Sequence, residues 1–458
     1  MPSSDAPDVP VASSAPQDSA RFRVAESAAE QHRSPSVAAL VRTTYAIVLA
    51  GGRGTRLNQL TRWRAKPAVP FGGKHRIIDF ALSNCINSGV RRIGVATQYR
   101  SHSLIQHLQR GWSFLNPHLN EFLDVLPAQH HAHAGWYTGT ADAAYQNLDI
   151  LRTHSPKVVL VLAGDHVYKM DYGVMLAEHV ERGAEASVAC VDVPLDSASA
   201  FGVIRVDDDG RMIEFAEKPA SPAPTPADPA RSLVSMGIYI FNAETLYRHL
   251  RADAHRPDSS HDFGRDVMPA LLNEGTHVYT HRFAASCVNM VGGEPYWRDV
   301  GTVDAYWEAN MDLARVQPEL NMYDPAWPIR TREECLPPAK FIFDSSNPHG
   351  QAWDALISSG CIVSGASIHR SLLFTEVVVE RGSLIEDSVV LPNVRIGRGV
   401  RLRRVVADRF CELPDGFEAG LDRAADEARF HVTPQGVVLV TPEMLGQHVH
   451  EDDSVPNA

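Results

Sequence analysis

The feature that most limits the possible folds of this chain is a six-residue spacing of aliphatic side chains in its C-terminal part. The spaced residues are Leu372, Val378, Leu384, Val390, Ile396 and Leu402. A helix repeats every 3.6 residues and a strand every two, so neither element explains a step of six. The spacing predicts a parallel β-helix, in which each short strand contributes one inward side chain. The alternative is a chance alignment in a Val-rich segment.

The first half of the chain follows a different pattern, in which apolar runs alternate with helical segments. The runs Tyr45–Ala50 and Lys157–Ala163 both end at glycine, which is typical of buried central strands. Further candidates are the strands Ala186–Val193 and Met236–Phe241 and the helices Ile77–Gly89, Ser103–Leu115 and Val303–Val316. This alternation predicts an α/β domain with a Rossmann-like, mainly parallel sheet, whose ligands bind at the C-terminal strand ends.

Composition suggests where the domains begin and end. The first 42 residues are rich in Ala, Ser and Pro and lack the apolar core of a signal peptide, so we expect a disordered tail. The Pro-rich segment Pro318–Pro338 predicts a linker. The expected organisation is an α/β domain over residues 43–317, a linker over 318–345, a β-helix over 346–446 and a tail over 447–458. Two domains suit a chain of 458 residues.

Charge is distributed unevenly along the chain. The net charge is −12, yet residues 31–78 contain no Asp or Glu. The cations of this segment are Arg33, Arg42, Arg53, Arg56, Arg62, Arg64, Lys66, Lys74 and Arg76. The acidic balance disfavours nucleic acid and acidic membranes as partners, and no apolar run approaches the roughly 20 residues of a membrane span. The basic segment predicts a small polyanionic ligand, and the alternative is a solvated basic loop.

A glycine-rich loop, LAGGRGTR at residues 49–56, lies within this basic segment and directly after the first candidate strand. Glycines let the backbone approach phosphate oxygens closely, and Arg56 adds a charged fork. Lys66 follows ten residues later, beside a proline that fixes the local backbone. The loop matches neither a Walker A motif nor GxGxxG. A glycine loop alone could be a tight turn, but these cations make phosphate binding the better interpretation.

Acidic residues stand at two further strand or turn positions. Asp165 follows the second apolar run in LAGDH, and Asp299 precedes a glycine turn in YWRDVGT. A carboxylate at a strand's C-terminal end is well placed to hold a hard cation beside phosphates. Each acid could instead be a helix N-cap. In FAEKP, the pair Glu217 and Lys218 is either a surface ion pair or a second phosphate site.

Taken together, these motifs resemble one family. GGRGTR, AKPAVPFGGKHRIIDFALSNCINSG, TQY, GTADA, LAGDHVYKMDY, FGV, FAEKP, SMGIY and YWRDVGT occur in order and precede the six-residue repeat. Over roughly residues 43–445 the chain is similar to bacterial glucose-1-phosphate adenylyltransferases, also called ADP-glucose pyrophosphorylases. The resemblance implies a C-terminal left-handed β-helix and a homotetramer. It also implies a Mg²⁺-dependent transfer of AMP from ATP to α-D-glucose 1-phosphate that supplies glycogen synthesis.

The resemblance also implies roles for individual residues. Asp165, Arg56, Lys66 and Asp299 would be catalytic, and Asp165 and Asp299 would share Mg²⁺. The implied ATP-binding residues are Gly51, Gly52, Gly54, Thr55, Gln98, Gln129 and Gly139. The implied glucose 1-phosphate residues are Tyr137, Gly202, Glu217, Lys218 and Ser235.

Regulation by a sugar-phosphate activator and a nucleotide inhibitor is a further implication of the resemblance. Arg64, Arg76 and Arg409 align with the family's effector-site arginines. Trp63, Pro70 and Thr153 replace a lysine, a histidine and an arginine of the family pattern, which leaves the identity of the activator open.

Two alternatives remain at the level of the sequence. The same chemistry with UTP, dTTP or GTP is one, and a catalytically silent regulatory subunit is the other.

The six cysteines are scattered without a CxxC pair, so we expect neither a zinc site nor a disulfide framework. A reducing cytoplasm is therefore the expected location.

Overall fold

The computed structural model describes residues 37–52, 54–128, 135–288, 294–342 and 350–447. Most of the two predicted tails lies outside these residues, as does Gln129. The end of the predicted N-terminal tail is an exception, because Val37–Thr43 form a helix. Leu40 and Val41 of this helix are buried in the core of the following domain, so the tail prediction is wrong for these residues.

The α/β domain contains thirteen strands and nine helices within the described residues. The strands are β1 (Tyr45–Leu49), β2 (Pro70–Phe71), β3 (His75–Arg76), β4 (Arg92–Thr97), β5 (Phe122–Pro127), β6 (Val158–Ala163), β7 (Val167–Tyr168), β8 (Ala186–Pro194), β9 (Gly202–Val206), β10 (Met212–Glu217), β11 (Arg231–Asn242), β12 (Val278–Arg282) and β13 (Trp297–Arg298). The helices are α1 (Val37–Thr43), α2 (Ile78–Asn87), α3 (His102–Gly111), α4 (Thr140–Tyr145), α5 (Leu148–Thr153), α6 (Tyr172–Glu181), α7 (Ala243–Ala254), α8 (Met268–Asn273) and α9 (Val303–Leu313). All the candidate strands and helices of this half are confirmed, and β11 is longer than expected.

The central sheet runs in the order β10-β9-β11-β6-β1-β4-β5, with β8 and β12 attached beside β11. Strands β6, β1, β4 and β5 are parallel, and β11 pairs antiparallel with β6. Side chains on both faces of β1, β4 and β6 are buried, which explains their continuous apolar sequences. The parallel arrangement brings the C-terminal ends of β1, β4, β5 and β6 to one edge of the sheet.

The linker lies against helix α2 rather than in solvent. The indole of Trp327 donates to the Asn84 side chain, and the backbone amide of Arg330 donates to the Ser83 hydroxyl. Leu320 and Ile329 are buried in a core cluster that includes residues of both domains. No helix of the described residues is long and apolar enough to cross a bilayer.

The C-terminal domain is a left-handed parallel β-helix with three faces. Its strands are β14 (Lys340–Ile342), β15 (Gln351–Trp353), β16 (Leu356–Ile357), β17 (Ile362–Ser364), β18 (Ser367–His369), β19 (Leu372–Leu373), β20 (Val378–Val379), β21 (Leu384–Glu386), β22 (Val389–Val390), β23 (Arg395–Ile396), β24 (Arg401–Arg403), β25 (Val405–Ala407), β26 (Glu412–Leu413), β27 (Glu418–Ala419), β28 (His431–Val432) and β29 (Val438–Val440), with helix α10 (Arg423–Glu427) before β28. Each face is a parallel sheet, except that β28 and β29 form an antiparallel hairpin. Strand β14 falls within the segment 318–345 that the sequence predicts as linker.

The inward side chains of the β-helix differ from the predicted register. The buried core contains Leu373, Val379, Ile385, Val390, Ile396 and Leu402. Successive coils pair residues 17 apart, so the steps follow a six, six, five order rather than a constant six. The predicted register is correct for Val390, Ile396 and Leu402. It is wrong by one residue for Leu372, Val378 and Leu384, because the five-residue step at one corner shifts the alignment.

Neighbouring leucine and isoleucine side chains test this register. We expect Ile385→Ala to lower the free energy of unfolding by about 2–5 kcal/mol, since it leaves a cavity inside the β-helix. Leu384→Ala, which removes a half-buried side chain from the outer face, should cost a fraction of that. Urea denaturation of both variants measures the difference. A larger loss for Leu384→Ala would contradict the register.

Candidate functional site

The C-terminal ends of the parallel strands surround a cavity of about 630 Å³. This volume is within the usual range of small-molecule sites. The predicted site residues that line it are Gly51, Gly52, Gly54, Thr55, Arg56, Lys66, Gln98, Tyr137, Gly139, Asp165, Gly202, Glu217, Lys218, Ser235 and Asp299. Gln129 lies outside the described residues. Segments that are far apart in sequence thus meet at one place.

The glycine-rich loop follows β1 and forms the floor of the cavity. Gly54 has a left-handed backbone (φ 63°), and a Cβ atom there would lie 2.9 Å from the Cβ atom of Lys66. Glycine is therefore required at this position both by conformation and by space. Gly52 has no atom within 4 Å of where its Cβ would be, so the backbone on that side is open to a ligand.

Lys66 connects two of the acidic residues that line the cavity, Asp165 and Asp299. Its ammonium nitrogen lies 2.6 Å from Oδ1 of Asp299 and 3.0 Å from Oδ2 of Asp165, and its side chain is only 5% exposed. Arg56 is the outer partner, with a terminal guanidinium nitrogen 3.4 Å from Oδ2 of Asp299. The cavity therefore holds two carboxylates and two cations in direct contact.

The charges of this group stabilise one another. Burial would raise the pKa of Asp165 and of Asp299, but the Lys66 ammonium outweighs it and holds both pKa values below their ordinary range. Burial likewise opposes the charge on Lys66, and the two carboxylates keep its pKa above the ordinary value. The Asp165 side chain is 34% exposed to the cavity, so solvent partly screens its share of the interaction. All three groups are ionised at neutral pH.

Neither Asp165 nor Asp299 is the N-cap of a neighbouring helix. The N-cap of α9 is Thr302, whose hydroxyl accepts from the amide of Ala305, and the N-cap of α6 is Asp171. These caps leave the carboxylates of Asp165 and Asp299 directed at the cavity. The capping alternative for both residues is thereby excluded.

His166 completes a candidate cation site with Asp165 and Asp299, a role that no motif predicted. Atoms of Asp165, His166 and Asp299 that could ligate a metal lie within 4.8 Å of one another. The Nε2 atom of His166 is 3.5 Å from Oδ1 of Asp165, and its buried Nδ1 has no partner among the described residues. Two ionised carboxylates are the hard oxygen donors that suit a divalent cation, and Lys66 already places positive charge on them. The residues present therefore fit such an ion.

One wall of the cavity is held together by Gln98, which follows β4. Its side-chain amide accepts from the backbone N–H of Tyr137 and donates to the carbonyl of the same residue. The Tyr137 hydroxyl accepts from Asn147 at 2.9 Å, and burial raises the pKa of that hydroxyl. A Cβ atom at Gly139 would lie 2.2 Å from the carbonyl oxygen of His261, so only glycine fits there.

The opposite wall comes from strands β9, β10 and β11. A Cβ atom on Gly202 would approach the Phe215 ring to 2.5 Å, which keeps this strand close to its neighbour. The Lys218 ammonium lies 3.0 Å from a Glu217 carboxylate oxygen, so the predicted ion pair exists, and it lies at the cavity rather than on a remote surface. The Ser235 hydroxyl accepts from the amide of Gly237 at 3.2 Å. This wall presents the Lys218 ammonium, the Glu217 carboxylate and the Ser235 hydroxyl to the cavity.

Other lining residues were not predicted from the sequence. Tyr239, Asp262 and Trp297 also border the cavity. Trp297 packs against the His166 ring with centroids 5.1 Å apart. The histidine follows Asp165 directly, so adjacency to a predicted ligand could have indicated it. Asp262 lies on a loop far from any motif, and no signal in the sequence pointed to it.

Comparison with known proteins agrees with this geometry. Residues 45–316 match the nucleotidyl transferase family model, and residues 337–440 match the GlmU-like C-terminal hexapeptide model. The glucose-1-phosphate adenylyltransferase of Nitrosospira multiformis is 60% identical over 415 residues, which cover 91% of this chain and 97% of that protein. The enzyme of the same name from Methylobacillus flagellatus is 60% identical over 424 residues, 92% of this chain and 99% of the relative. The chain belongs to the glucose-1-phosphate adenylyltransferase family.

Membership of this family makes the protein a nucleotidyltransferase and confirms the resemblance stated from the motifs. A relative from Alkalilimnicola ehrlichii, glucose-1-phosphate adenylyltransferase 2, is 56% identical and matches 91% of this chain and 98% of its own length. The similarity extends through both domains. The individual residue roles remain predictions, although the structure brings the residues together.

The three predicted effector arginines lie away from the cavity, between the two domains. Arg64 forms a buried ion pair with Asp408 of the β-helix, at 2.8 and 3.0 Å. Burial, followed by the guanidinium of Arg409, lowers the pKa of Arg76 to about 10. Burial and Arg64 lower the pKa of Arg409, whose buried Nε has no partner among the described residues. Arg332 of the linker contributes to the same positive field.

Replacing Lys66 with methionine should destabilise the protein most at neutral pH. In the wild type, the lowered pKa values of Asp165 and Asp299 contribute stability above about pH 4, which is lost as the pH falls through their folded values. In Lys66→Met, burial instead raises these pKa values, so protonation at lower pH removes the free-energy cost of two buried carboxylates that have lost their counter-ion. The difference in melting temperature should therefore shrink as the pH is lowered from about 7 to about 4.

The matched control is Lys74→Met, because Lys74 is an exposed lysine of the same segment. Its melting temperature should follow that of the wild type at every pH. A gap between wild type and Lys66→Met that stays constant with pH would contradict the charge arrangement described above.

Proposed function

We propose that the protein is a glucose-1-phosphate adenylyltransferase, which converts ATP and α-D-glucose 1-phosphate into ADP-glucose and pyrophosphate. The observation that carries the proposal is that the glycine loop, Lys66, two ionised carboxylates and Lys218 all line one cavity. The relatives at 53–60% identity that carry this name support the choice of substrates. The product would supply glycogen or another α-glucan.

The triphosphate would bind over the loop that follows β1. Backbone amides of Gly51, Gly52 and Gly54 would contact phosphate oxygens, because no side chain occupies the space above Gly52. Arg56 has a side chain that is 60% exposed, so it is free to turn from Asp299 towards an anion. The adenine would lie beside Gln98 and Gly139, where the backbone of Tyr137 is already fixed.

The sugar phosphate would bind on the opposite wall. The Lys218 ammonium would neutralise its phosphate, and Glu217 and Ser235 would accept or donate hydrogen bonds to sugar hydroxyls. Lys218 adopts a left-handed backbone (φ 48°), while its amide donates to the carbonyl of Phe201 at 3.0 Å. This backbone fixes the direction in which the long side chain leaves the strand end.

The reaction needs no nucleophile from the protein. A phosphate oxygen of the sugar forms a bond to the α-phosphorus of ATP, and the bond from that phosphorus to the oxygen bridging to the β-phosphate breaks. Pyrophosphate leaves with the bonding electrons. Arg56, Lys66 and Lys218 would offset the repulsion between the two anions and align them for displacement.

A bound Mg²⁺, held by Asp165 and Asp299, would add positive charge next to the transferred phosphate. Lys66 contacts both of these carboxylates at hydrogen-bonding distance, so it would keep them ionised and directed at the cavity. The residue after Asp165 is His166, whose ring packs on Trp297. This contact restricts how far the end of β6 can shift. The carboxylates are thus presented by fixed elements rather than by a loose loop.

Regulation by phosphorylated effectors belongs to the proposal. Arg64, Arg76 and Arg409 concentrate positive charge between the domains, and burial already makes that charge unfavourable for Arg76 and Arg409. A polyanion bound there would offset the repulsion between these neighbouring guanidinium groups. We also propose a homotetramer, to be checked by light scattering, that acts in the cytoplasm, where ATP is abundant.

Nucleotide preference tests the proposed reaction. With glucose 1-phosphate and Mg²⁺, pyrophosphate release should favour ATP over UTP, dTTP and GTP by at least about tenfold in kcat/KM. Asp165→Asn should lower kcat by about 10²–10³, and EDTA should stop the reaction. Asp171→Asn, the same change at the cap of α6, should leave kcat within about twofold. Preference for UTP would refute the ADP-glucose assignment, and no activity with any nucleotide would favour a silent regulatory subunit.

The effector site is tested by Arg409→Ala against Arg403→Ala, an exposed arginine of the same domain. A panel of sugar phosphates and nucleoside monophosphates is screened on the wild type for activation or inhibition. Arg409→Ala should keep its activity without effector and lose about fivefold or more of the response. Arg403→Ala should respond as the wild type does. Equal responses in both variants would contradict the assignment.

A further inference from the structure

One hairpin of the β-helix contacts two of the segments that border the charged groups of the cavity, the one that contains Arg56 and the one that follows Asp299. Strand β28 contains His431, and Thr433 begins the tight turn that leads to β29. The amide of Thr433 donates to the carbonyl of Val437, and the amide of Gly436 donates to the carbonyl of Thr433. The two side chains therefore project from a short, internally bonded support.

The first contact joins this hairpin to the segment after the glycine loop. Nδ2 of Asn58 lies 2.9 Å from Nε2 of His431, although the two residues are 373 positions apart. Asn58 sits at a kink within Thr55–Thr61, with φ 51° and ψ −132°. The Thr61 hydroxyl spans this kink, with the carbonyl oxygens of Gly54 at 3.0 Å and of Asn58 at 3.1 Å. A non-glycine residue keeps such a backbone only where its surroundings hold it.

The second contact joins the hairpin to the segment after Asp299. The Thr433 hydroxyl donates to the carboxylate of Asp304, which lies in the first turn of α9. The same hydroxyl accepts from the amide of Val437 at 3.0 Å, so the direction of its proton is fixed. Asp304 is five residues after Asp299, and the Thr302 cap lies between them. The turn that presents Asp299 is therefore held from the β-helix side.

An apolar layer beneath the two contacts makes the three segments one packed unit. One buried cluster contains Leu57 and Leu60 of the loop segment, Val303 and Tyr306 of α9, and Val437 and Leu439 of the hairpin. Side chains in such a cluster do not shift independently, because protein interiors are closely packed. The polar contacts at His431 and Thr433 then set the orientation of each segment on this layer.

We propose that His431 and Thr433 are positioning residues, which hold the phosphate-binding loop and the Asp299 turn at a fixed separation. Arg56 and Lys66 reach Asp299 across the gap between these segments, at 3.4 and 2.6 Å, so a small change in separation would break the charge contacts. The proposal rests on the proposed function for the reaction that it serves. It assigns the β-helix a direct part in forming the catalytic geometry.

Kinetics on matched variants test the two contacts separately. His431→Ala should raise the KM for ATP by about fivefold, and Thr433→Val should lower kcat by about fivefold. His431→Gln and Thr433→Ser, which retain the hydrogen-bonding groups, should restore both constants to within about twofold. His369→Ala is the control, since His369 packs on Trp353 within the β-helix. Asp304→Ala replaces Thr433→Val if that variant fails to fold.

Hydrogen–deuterium exchange supplies a measure that does not depend on the substrate. Backbone amides of residues 55–61 should exchange faster in His431→Ala, and those of residues 303–306 faster in Thr433→Val, while His369→Ala matches the wild type. The proposal would be overturned if neither the exchange rates nor the kinetic constants changed in His431→Ala and Thr433→Val. It would also be overturned if His369→Ala changed KM, kcat or the exchange rates to the same extent. A wild type inactive with every nucleotide would contradict the proposed function instead, and the exchange rates would then decide the positioning role.

Discussion

Pairing of charges inside the cavity is the constraint on which the rest of the structure depends. Lys66 comes from a short helical turn before β2, Asp165 from the end of β6 and Asp299 from the turn before α9. The side chains of Lys66 and Asp299 are largely shielded from bulk water. An unpaired charge in such a place is strongly unfavourable, so these segments are stable only when they meet. The same pairing keeps both acids ionised, because the Lys66 ammonium holds their pKa values below the ordinary range.

The sequence was sufficient wherever a local pattern has one structural solution. The continuous apolar runs of β1 and β6 identified central strands, and the residues after them necessarily reached one edge of the sheet. The register of the β-helix was not determined in this way. At Leu372–Leu373, Val378–Val379 and Leu384–Ile385 both neighbours are apolar, so composition cannot decide which of them points inward. The geometry of the corners decides it.

Roles that depend on distant contacts were also beyond the sequence. Asp299 and Thr302 are both good capping residues, and only the hydrogen bond from Ala305 to Thr302 shows that the carboxylate is free to face Lys66. The bond between Asn58 and His431 has no trace in either local sequence, because each residue is common in loops and turns. The role of His166 was only partly accessible from the sequence. Its position beside Asp165 was visible, but its distance from Asp299 was not.

The steps of six, six and five residues bear on how the C-terminal domain can change in length. If one complete 17-residue coil were lost or duplicated, all the remaining side chains would stay on their original faces. Removal of a single residue would turn the remainder of that coil inside out, unless the loop at a corner absorbed the change. A domain built in this way can therefore lengthen or shorten by whole coils, while the hairpin at its end keeps its contacts with the α/β domain.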